Sequence, residues 1–341
     1  MRPKMSDIQQ YHAHVPNIGL GRQSTAMALM IINGDLPRPD CFLFADTGWE
    51  REGTYENLAR LKPMAEKAGI PFVVVSGGNI RKDQVAEGFE KTELPYYVDP
   101  SRFETIEELR ELLIKDIEKA YHKAIREMKR EGRNELIAVS LDDLMQVGLA
   151  EFDRRVEAGE IKPGWKQMRV TMIGRQCTEK YKIKPIQSYC RKNLGAHFKR
   201  PVGVWLGIST DEWTRMATSR TKAFVNFYPL IDYGMSVENC MQYLEDHDYP
   251  IPVKSSCIGC PYHSNELWSE MSAAEIADAQ DYEDSVNAVV KASDKLRDKP
   301  YFANGIRLHE SMIPIGQRPF NRVIVEQKDR DAVCGSAGCF L

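Results

Sequence analysis

The chain has 341 residues, a formal net charge of −3, and 43% apolar and 28% charged residues. That composition belongs to a water-soluble globular protein, long enough for one large domain or two small ones. It carries no global basic field for nucleic acid, so nucleic acid is expected only indirectly. There is no apolar run of about 18 residues and no apolar segment behind Met1–Asp7, so neither a membrane span nor a secretory signal is expected, and the expected setting is cytoplasmic. Eight cysteines in such a chain point to metal, redox chemistry or plain buried thiols rather than a disulfide scaffold.

In chain order, residues 1–10 are polar and expected to be loose. Tyr11 to Ile18 is expected to be the first strand, although Pro16 removes a ladder donor. A helix is expected over 24–33, stopped at Asn33-Gly34, and a strand over 40–45. Thr54 to Ala68 predicts a helix with its apolar face at Leu58, Leu61, Met64 and Ala65; Pro63 should kink it or delay its start. Residues 71–76 predict the third strand. Strand-helix alternation of this kind argues an α/β fold with a doubly wound parallel sheet.

Residues 80–165 change character and predict a helical insertion. The charge-dense stretch 106–130 has opposite charges three and four apart, as on a solvated helix face. It reads as cover for the sheet, or as a lid or docking arm, with a local basic stripe at Lys123, Arg126, Lys129, Arg130 and Arg133. A buried strand is expected over 201–209, helices over 236–246 and 265–290, and an irregular tail over 300–341.

Three stretches carry candidate chemistry. In Gly19-Leu20-Gly21-Arg22-Gln23-Ser24-Thr25, two glycines precede a hydroxyl pair and an apolar helix. Glycine lets backbone amides approach an anion, and the first turn of a helix offers unpaired N–H groups and a positive dipole end. Arg22 adds a cation. The stretch is neither a Walker A loop nor G-x-G-x-x-G, and it reads equally as a glycine turn with a Ser/Thr N-cap. Phe42-Leu43-Phe44-Ala45-Asp46-Thr47-Gly48 delivers an acid, a hydroxyl and a glycine at a strand's carboxyl edge, where open α/β sheets bind ligands. Asp46 there could hold Mg2+ or a ribose hydroxyl, or simply be solvated. Cys257-Ile258-Gly259-Cys260 places two sulfurs on one turn, open to a 4Fe-4S cluster, a structural Zn2+ or metal-free thiols. His263 reads as a ligand or as a capping or surface residue, and Cys41 as core.

The loop, followed about twenty residues later by Phe-Ala-Asp-Thr-Gly-Trp-Glu, resembles the phosphoadenosine phosphosulfate (PAPS) reductase-like family. This family belongs to the PP-loop superfamily of adenine-nucleotide α-hydrolases. Its usual loop is Ser-x-Gly-x-Asp-Ser; Gly19 and Gln23 stand at the first Ser and the Asp, as in a branch found on phages and mobile elements. The resemblance covers roughly residues 12–78 and 172–265, with a weaker match at 330–340. It divides the chain into a nucleotide-binding α/β domain (1–79 and 166–265), the insertion (80–165) and a C-terminal region (266–341) with a cysteine-containing tail.

The resemblance implies binding of ATP or another adenine nucleotide with Mg2+. Gly19, Gly21, Arg22, Gln23, Ser24 and Thr25 would cradle phosphate, and Asp46, Thr47 and Gly48 would line the nucleotide site. Gly207-Ile208-Ser209-x-Asp211-Glu212-x-x-Arg215 is similar to the family's nucleotide-contacting element, with Arg215 clamping the anion. Arg175, Lys180 and Lys182 are further anion candidates. The implied chemistry is attack at the α-phosphate, giving an adenylated intermediate and pyrophosphate, with Ser24 and Asp46 at the reacting end.

Cys177, about eighty residues before Cys257, resembles the cysteine segment of adenosine phosphosulfate (APS) reductases, Cys-Cys-x-x-Arg-Lys-Val-x-Pro-Leu, with Gln176 in place of the first cysteine. That implies Cys177, Cys257 and Cys260 as ligands of a 4Fe-4S cluster, with a fourth from Cys190, Cys240, Cys334 or Cys339, or an open iron. Val333-Cys334-Gly335 resembles the Glu-Cys-Gly tail whose cysteine attacks sulfur in PAPS reductases, making Cys334 a candidate sulfur carrier, resolving thiol or ligand. A sulfur donor or acceptor protein and self-association are the partners implied. Two further functions stay open: thiol-dependent reduction of PAPS or APS, and a non-catalytic nucleotide-binding accessory of a nucleic-acid defence or modification system.

Overall fold

The computed structural model describes residues 2–86, 94–98, 105–130, 140–161, 171–173, 176–297, 302, 305–318 and 320. The expectations for Arg133, Arg175, Cys334, Cys339 and the rest of the tail lie outside those residues, as do the side chains of Lys129 and Arg130. The protein is a mixed α/β protein built on a five-stranded parallel sheet. Strands β1 (His14–Asn17), β2 (Phe42–Asp46) and β3 (Phe72–Ser76) lie on one side, and β6 (Val202–Leu206) and β7 (Phe224–Phe227) on the other, in the order β3-β2-β1-β6-β7. The chain winds outward from β1 one way and then outward from β6 the other way. The order therefore reverses between β1 and β6, a crevice-forming arrangement compatible with Rossmann-like winding.

β1 is shorter than the expected Tyr11–Ile18, and it is central despite Pro16. The reason lies in the ladder. The amides of His14 and Ile18 go to Asp40 Oδ2 (2.7 Å) and Leu43 O (2.8 Å), so that side of β1 faces β2. Pro16 nitrogen has the same parity, and β1 and β2 share only the pair Asn17–Leu43, so no amide is missed there. On its other side β1 pairs with β6 over all four residues. Residues 5–10, expected to be loose, form a 3-10 turn tied down by buried Met5 and Ile8 and by the Met5 amide on Asp232 Oδ2 (2.9 Å).

Each face of the sheet buries a different set of side chains, as its pleat requires. Phe42, Phe44, Phe72, Trp205 and Phe227 pack under α1 (Arg22–Asn33), α2 (Glu52–Lys67) and α8 (Val237–Asp246). Val15, Leu43, Val202, Val204 and Leu206 pack on the opposite face with Ile186 and Cys190 of α6 (Lys184–Leu194). Short helices α3 (Ile80–Asp83) and α7 (Pro229–Asp232) follow β3 and β7.

α2 runs through Pro63; Leu61 and Ala65 of the expected stripe are buried and Leu58 packs partly against the core, but Met64 is replaced on the buried face by Thr54 and Asn57. Met64 is 37% exposed, whereas Asn57 is buried. A hydrogen-bond network, described below, outweighs side-chain hydrophobicity at that turn.

The expected helix 265–290 is two helices, α9 (Asn265–Ser269) and α10 (Ala273–Ala292). Ser272 starts the second with a capping box to Glu275. In the described part of the tail, β8 (Ile306–Arg307) and a turn at 315–317 dock on α10. Asn287 Oδ1 accepts the Ile306 amide (2.8 Å), and buried Glu283 accepts the Leu308 amide (2.8 Å). β8 joins β4 (Tyr96–Val98) and β5 (Thr171–Ile173) in a second sheet of order β5-β4-β8; the helical reading of 80–165 missed β4, and the irregular reading of the tail missed β8.

Glu283 yields a pH prediction. Burial pushes its carboxyl up to about 7, against the pull of the Leu308 amide and the Arg307 guanidinium. Between the ordinary carboxyl range and about pH 7, the folded protein holds a proton that the unfolded chain has released. Stability should therefore fall as pH rises through that interval. Glu283→Gln keeps an acceptor for Leu308 and should flatten this fall, measured by urea unfolding at several pH values; an unchanged slope would assign the proton elsewhere.

The chain divides into two compact units: Met1–Tyr97 with Met172–Ser293 and Ile306–Leu341, and Val98–Thr171 with Asp294–Gly305. The second contains the helical hairpin α4 (Ile106–Arg130) and α5 (Leu141–Glu157). Gly148 allows its close packing, since a Cβ there would lie 2.6 Å from Ile117 Cδ1, and Arg110 pairs with Asp153 at 3.0 Å. Among the described residues no helix is long and apolar enough to cross a membrane.

Candidate anion site and thiol cluster

The loop leaves β1 at the switch point. Leu20 takes a left-handed φ of 62° while fully buried, and Gly21 is the N-cap of α1, which begins at Arg22 rather than Ser24. The reading of Ser24 or Thr25 as N-cap is thereby corrected. Gly21 offers no side-chain cap, so the first amides of a twelve-residue helix stay open to an anion. Ser24 Oγ donates to Gly21 O (3.2 Å) and the Thr25 amide does the same (2.9 Å), which closes the turn.

Asn57 of α2 fixes this loop. Its Nδ2 donates to Leu20 O and to Thr25 Oγ1, both at 2.9 Å, and its Oδ1 accepts from Tyr249 at 2.6 Å. From the other side the end of β6 abuts the loop: a Cβ on Gly207 would sit 3.0 Å from Ser24 Cα. The turn after β6 brings Glu212, whose carboxylate accepts from Gln23 Nε2 (3.0 Å) and from Arg215 Nη1 (2.5 Å). Gly19, Gly21, Arg22, Gln23, Ser24, Thr25, Gly207 and Arg215 thus meet at one sheet edge. Lys254 joins them: burial holds its ammonium below its usual value, Arg215 and Arg22 add to the depression, and Glu212 opposes it.

At the neighbouring edge of β2, Asp46 Oδ1 accepts the Gly48 amide (2.7 Å) and the Tyr55 hydroxyl (2.9 Å). Gly48 has φ 73°, and Asn79 Nδ2 caps its carbonyl at 2.9 Å. Thr47 points elsewhere. Its hydroxyl donates to Glu50 Oε1 (2.9 Å) and lies 3.3 Å from Cys257 Sγ, so it belongs to the thiol cluster. Glu50 is 2% exposed and pairs with Lys182 Nζ at 3.4 Å. Burial works against the charge on Lys182, but Glu50 and the two thiols more than restore it, and its pKa is raised. Burial pushes Cys260 up to about 12, with Cys177 near enough to add to the rise, and pushes Cys257 up as well. Gly259 is needed here, because a Cβ would lie 2.2 Å from the Trp49 ring.

The other cysteines stay apart. Cys190 and Cys240 are 0% exposed in opposite hydrophobic layers, so neither can serve as a fourth ligand beside Cys257, and Cys41 is core. His263 is no surface residue. It is buried edge-on to Trp268 at 4.6 Å, and burial, with Arg51 and Lys254, pushes it down to about 3 against the pull of the Cys257 carbonyl. Among the described residues, no three of His, Cys, Asp and Glu are gathered tightly enough to hold a single metal ion.

The sequence reading missed Asn57, Glu50 and Lys254. Glu50 alone had a signal, the acid ending Asp-Thr-Gly-Trp-Glu. An open groove of about 730 Å³ near Trp268, Met271, Gln280 and Phe320 contains none of these residues.

The chain matches no family model, no curated protein and no solved structure. What fold and site define is a mixed α/β protein whose parallel sheet carries, at its carboxyl edge, a glycine loop with cations about it, beside the partly buried Cys257 and Cys260 thiols.

Proposed function

We propose that the protein is a PAPS reductase-like adenine-nucleotide α-hydrolase that binds ATP and transfers or hydrolyses its adenylyl group with release of pyrophosphate. The observation that carries this reading is the uncapped start of α1 at the sheet's switch point, with Arg22, Arg215 and Lys254 around it. In this reading the loop amides and the three cations bind the phosphate chain and stabilise charge that develops on it as the bond from the α-phosphorus to the bridging oxygen breaks. Arg215 is positioned by Glu212, and Glu212 is positioned by Gln23. Asp46, held by Gly48 and Tyr55, would orient the Mg2+ that supplies Lewis-acid polarisation of the phosphates.

Burial raises both thiols, Cys257 and Cys260, which disfavours a free thiolate nucleophile there. In this reading Cys177, Cys257 and Cys260 would hold a 4Fe-4S cluster, an assignment carried over from the sequence resemblance. A non-catalytic, nucleotide-binding accessory role has one observation in its favour: Glu212 already neutralises part of the cation ring.

The test is pyrophosphate release from ATP with Mg2+, together with ATP affinity, on anaerobically purified protein. Arg215→Ala is expected to lose about tenfold in affinity, the worth of one charge-assisted hydrogen bond. Sulfite release from PAPS in place of pyrophosphate release would move the assignment to a reductase, and binding without turnover to the accessory role. Iron and zinc analysis of wild type and Cys257→Ala tests the cluster.

A further inference from the structure

We infer that the strap Lys254-Ser255-Ser256 is the second wall of the anion site, and that Lys254 and Ser255 give it a preference for linked phosphates over a single phosphate or sulfate. This rests on the reading of the glycine loop as a phosphate site and assigns residues on a different segment.

The strap is pressed against the loop. A Cβ on Gly21 would sit 3.4 Å from both the Cβ and the amide nitrogen of Ser255. Its far side is pinned: the Arg51 amide donates to Ser256 O (3.2 Å), and Cys257 bridges Glu50 in an antiparallel step. The strap therefore cannot swing away without breaking the link to the end of β2.

Both the loop and the strap, and the turn after β6, carry buried polar atoms without partners. Arg22 Nε, Ser209 Oγ, Ser255 Oγ and Ser256 Oγ are all shielded from solvent and make no hydrogen bond among the described residues. Ser209 is fully buried and follows Gly207, the residue packed on Ser24. Leaving such groups unpaired is costly, and native structures rarely do so unless another group completes them. Hydroxyl and guanidinium donors next to open helix amides call for an oxygen-rich anion.

Charge decides its size. Arg22, Arg215 and Lys254 come from three different segments, against Glu212 and the exposed Glu266 as the acids within electrostatic reach of Lys254. One phosphoryl group is satisfied by the loop amides and one or two cations. The additional cation and hydroxyls on the strap lie beyond that and suit a second, linked phosphoryl group.

Binding of inorganic pyrophosphate, inorganic phosphate, sulfate and ATP to the full-length protein by titration calorimetry tests this. The variants are Lys254→Ala, Ser255→Ala and, as a charge control, the exposed Lys192→Ala. Pyrophosphate is expected to bind wild type at least about tenfold more tightly than phosphate or sulfate. Lys254→Ala should lose about tenfold for pyrophosphate and ATP, and Ser255→Ala several-fold, while phosphate changes little and Lys192→Ala changes nothing. Equal losses for phosphate and pyrophosphate, or none for either strap variant, overturn the inference even if ATP binds and is turned over. Pyrophosphate binding that depends on Lys254, with no binding of ATP, would sustain the strap and overturn the adenine-nucleotide reading. Lys254 keeps solvent-exposed surface although its ammonium is partly desolvated, so its variant should melt with wild type.

Discussion

Lys182→Met is expected to destabilise the protein by about 3–5 kcal/mol near pH 8, the cost of removing one partner from a buried ion pair. Glu50 has no exposed side-chain surface. Its Oε1 is shared between Thr47 and Lys182, and its Oε2 has no partner among the described residues. Methionine keeps most of the apolar stem and removes the ammonium with its charge and its donors. The carboxylate left behind would take up a proton that the unfolded chain has already released, so the variant's stability should fall as pH rises and should recover toward about pH 5. Glu50→Gln placed on top of Lys182→Met should restore most of the loss, because the buried charge disappears with its partner. Urea unfolding of the two single variants and the double variant at both pH values gives the answer. A loss that is independent of pH, or is not relieved in the double variant, would mean that Lys182 acts through packing alone.

Asn57→Ala is expected to cost about 3 kcal/mol or more and to weaken ATP binding at least about tenfold. Three groups lose their partner together: the Leu20 carbonyl, the Thr25 hydroxyl and the Tyr249 hydroxyl. Two of them belong to the loop, and Leu20 holds a left-handed conformation that a leucine adopts only under constraint. Without Asn57 that turn is free to relax and the α1 amides lose their fixed aim. Asn57→Asp should do no better: it keeps the acceptor for Tyr249 but sets a carboxylate against the Leu20 carbonyl. Thermal melting with and without ATP separates the two effects. A variant that melts like wild type, or that keeps the full shift on adding ATP, would remove Asn57 from the site.

Much of the frame was legible in local pattern. The apolar runs 40–45, 71–76 and 201–209, each ended by polar residues, became β2, β3 and β6, and the charge-dense stretch 106–130 became α4 over the same residues. Glycine spacing picked out the loop, because a backbone that must pass close to Ser255 and start a helix without a side-chain cap leaves its mark in composition. Repeating patterns of this kind need only near neighbours along the chain.

Partners distant in sequence came only with the folded chain. Periodicity preferred Met64 to Asn57 for the buried face of α2, since hydropathy cannot anticipate that a carbonyl 37 residues away will pay for burying an amide. Pro16 counted against a central strand until the ladder proved to have a gap opposite it. Thr47, read with the nucleotide residues beside it, turned out to face Cys257, 210 residues on. Cys190 and Cys240, plausible ligands as cysteines, were withdrawn into opposite faces of the sheet by the pleat. Local backbone preference and repeating polarity were enough for the strands and helices of the main sheet and for the position of the glycine loop. Which side chains share a site was decided by the parallel winding, because it sets residues from β1, β2, β6 and the strap before Cys257 side by side at one edge, a proximity that no local spacing encodes.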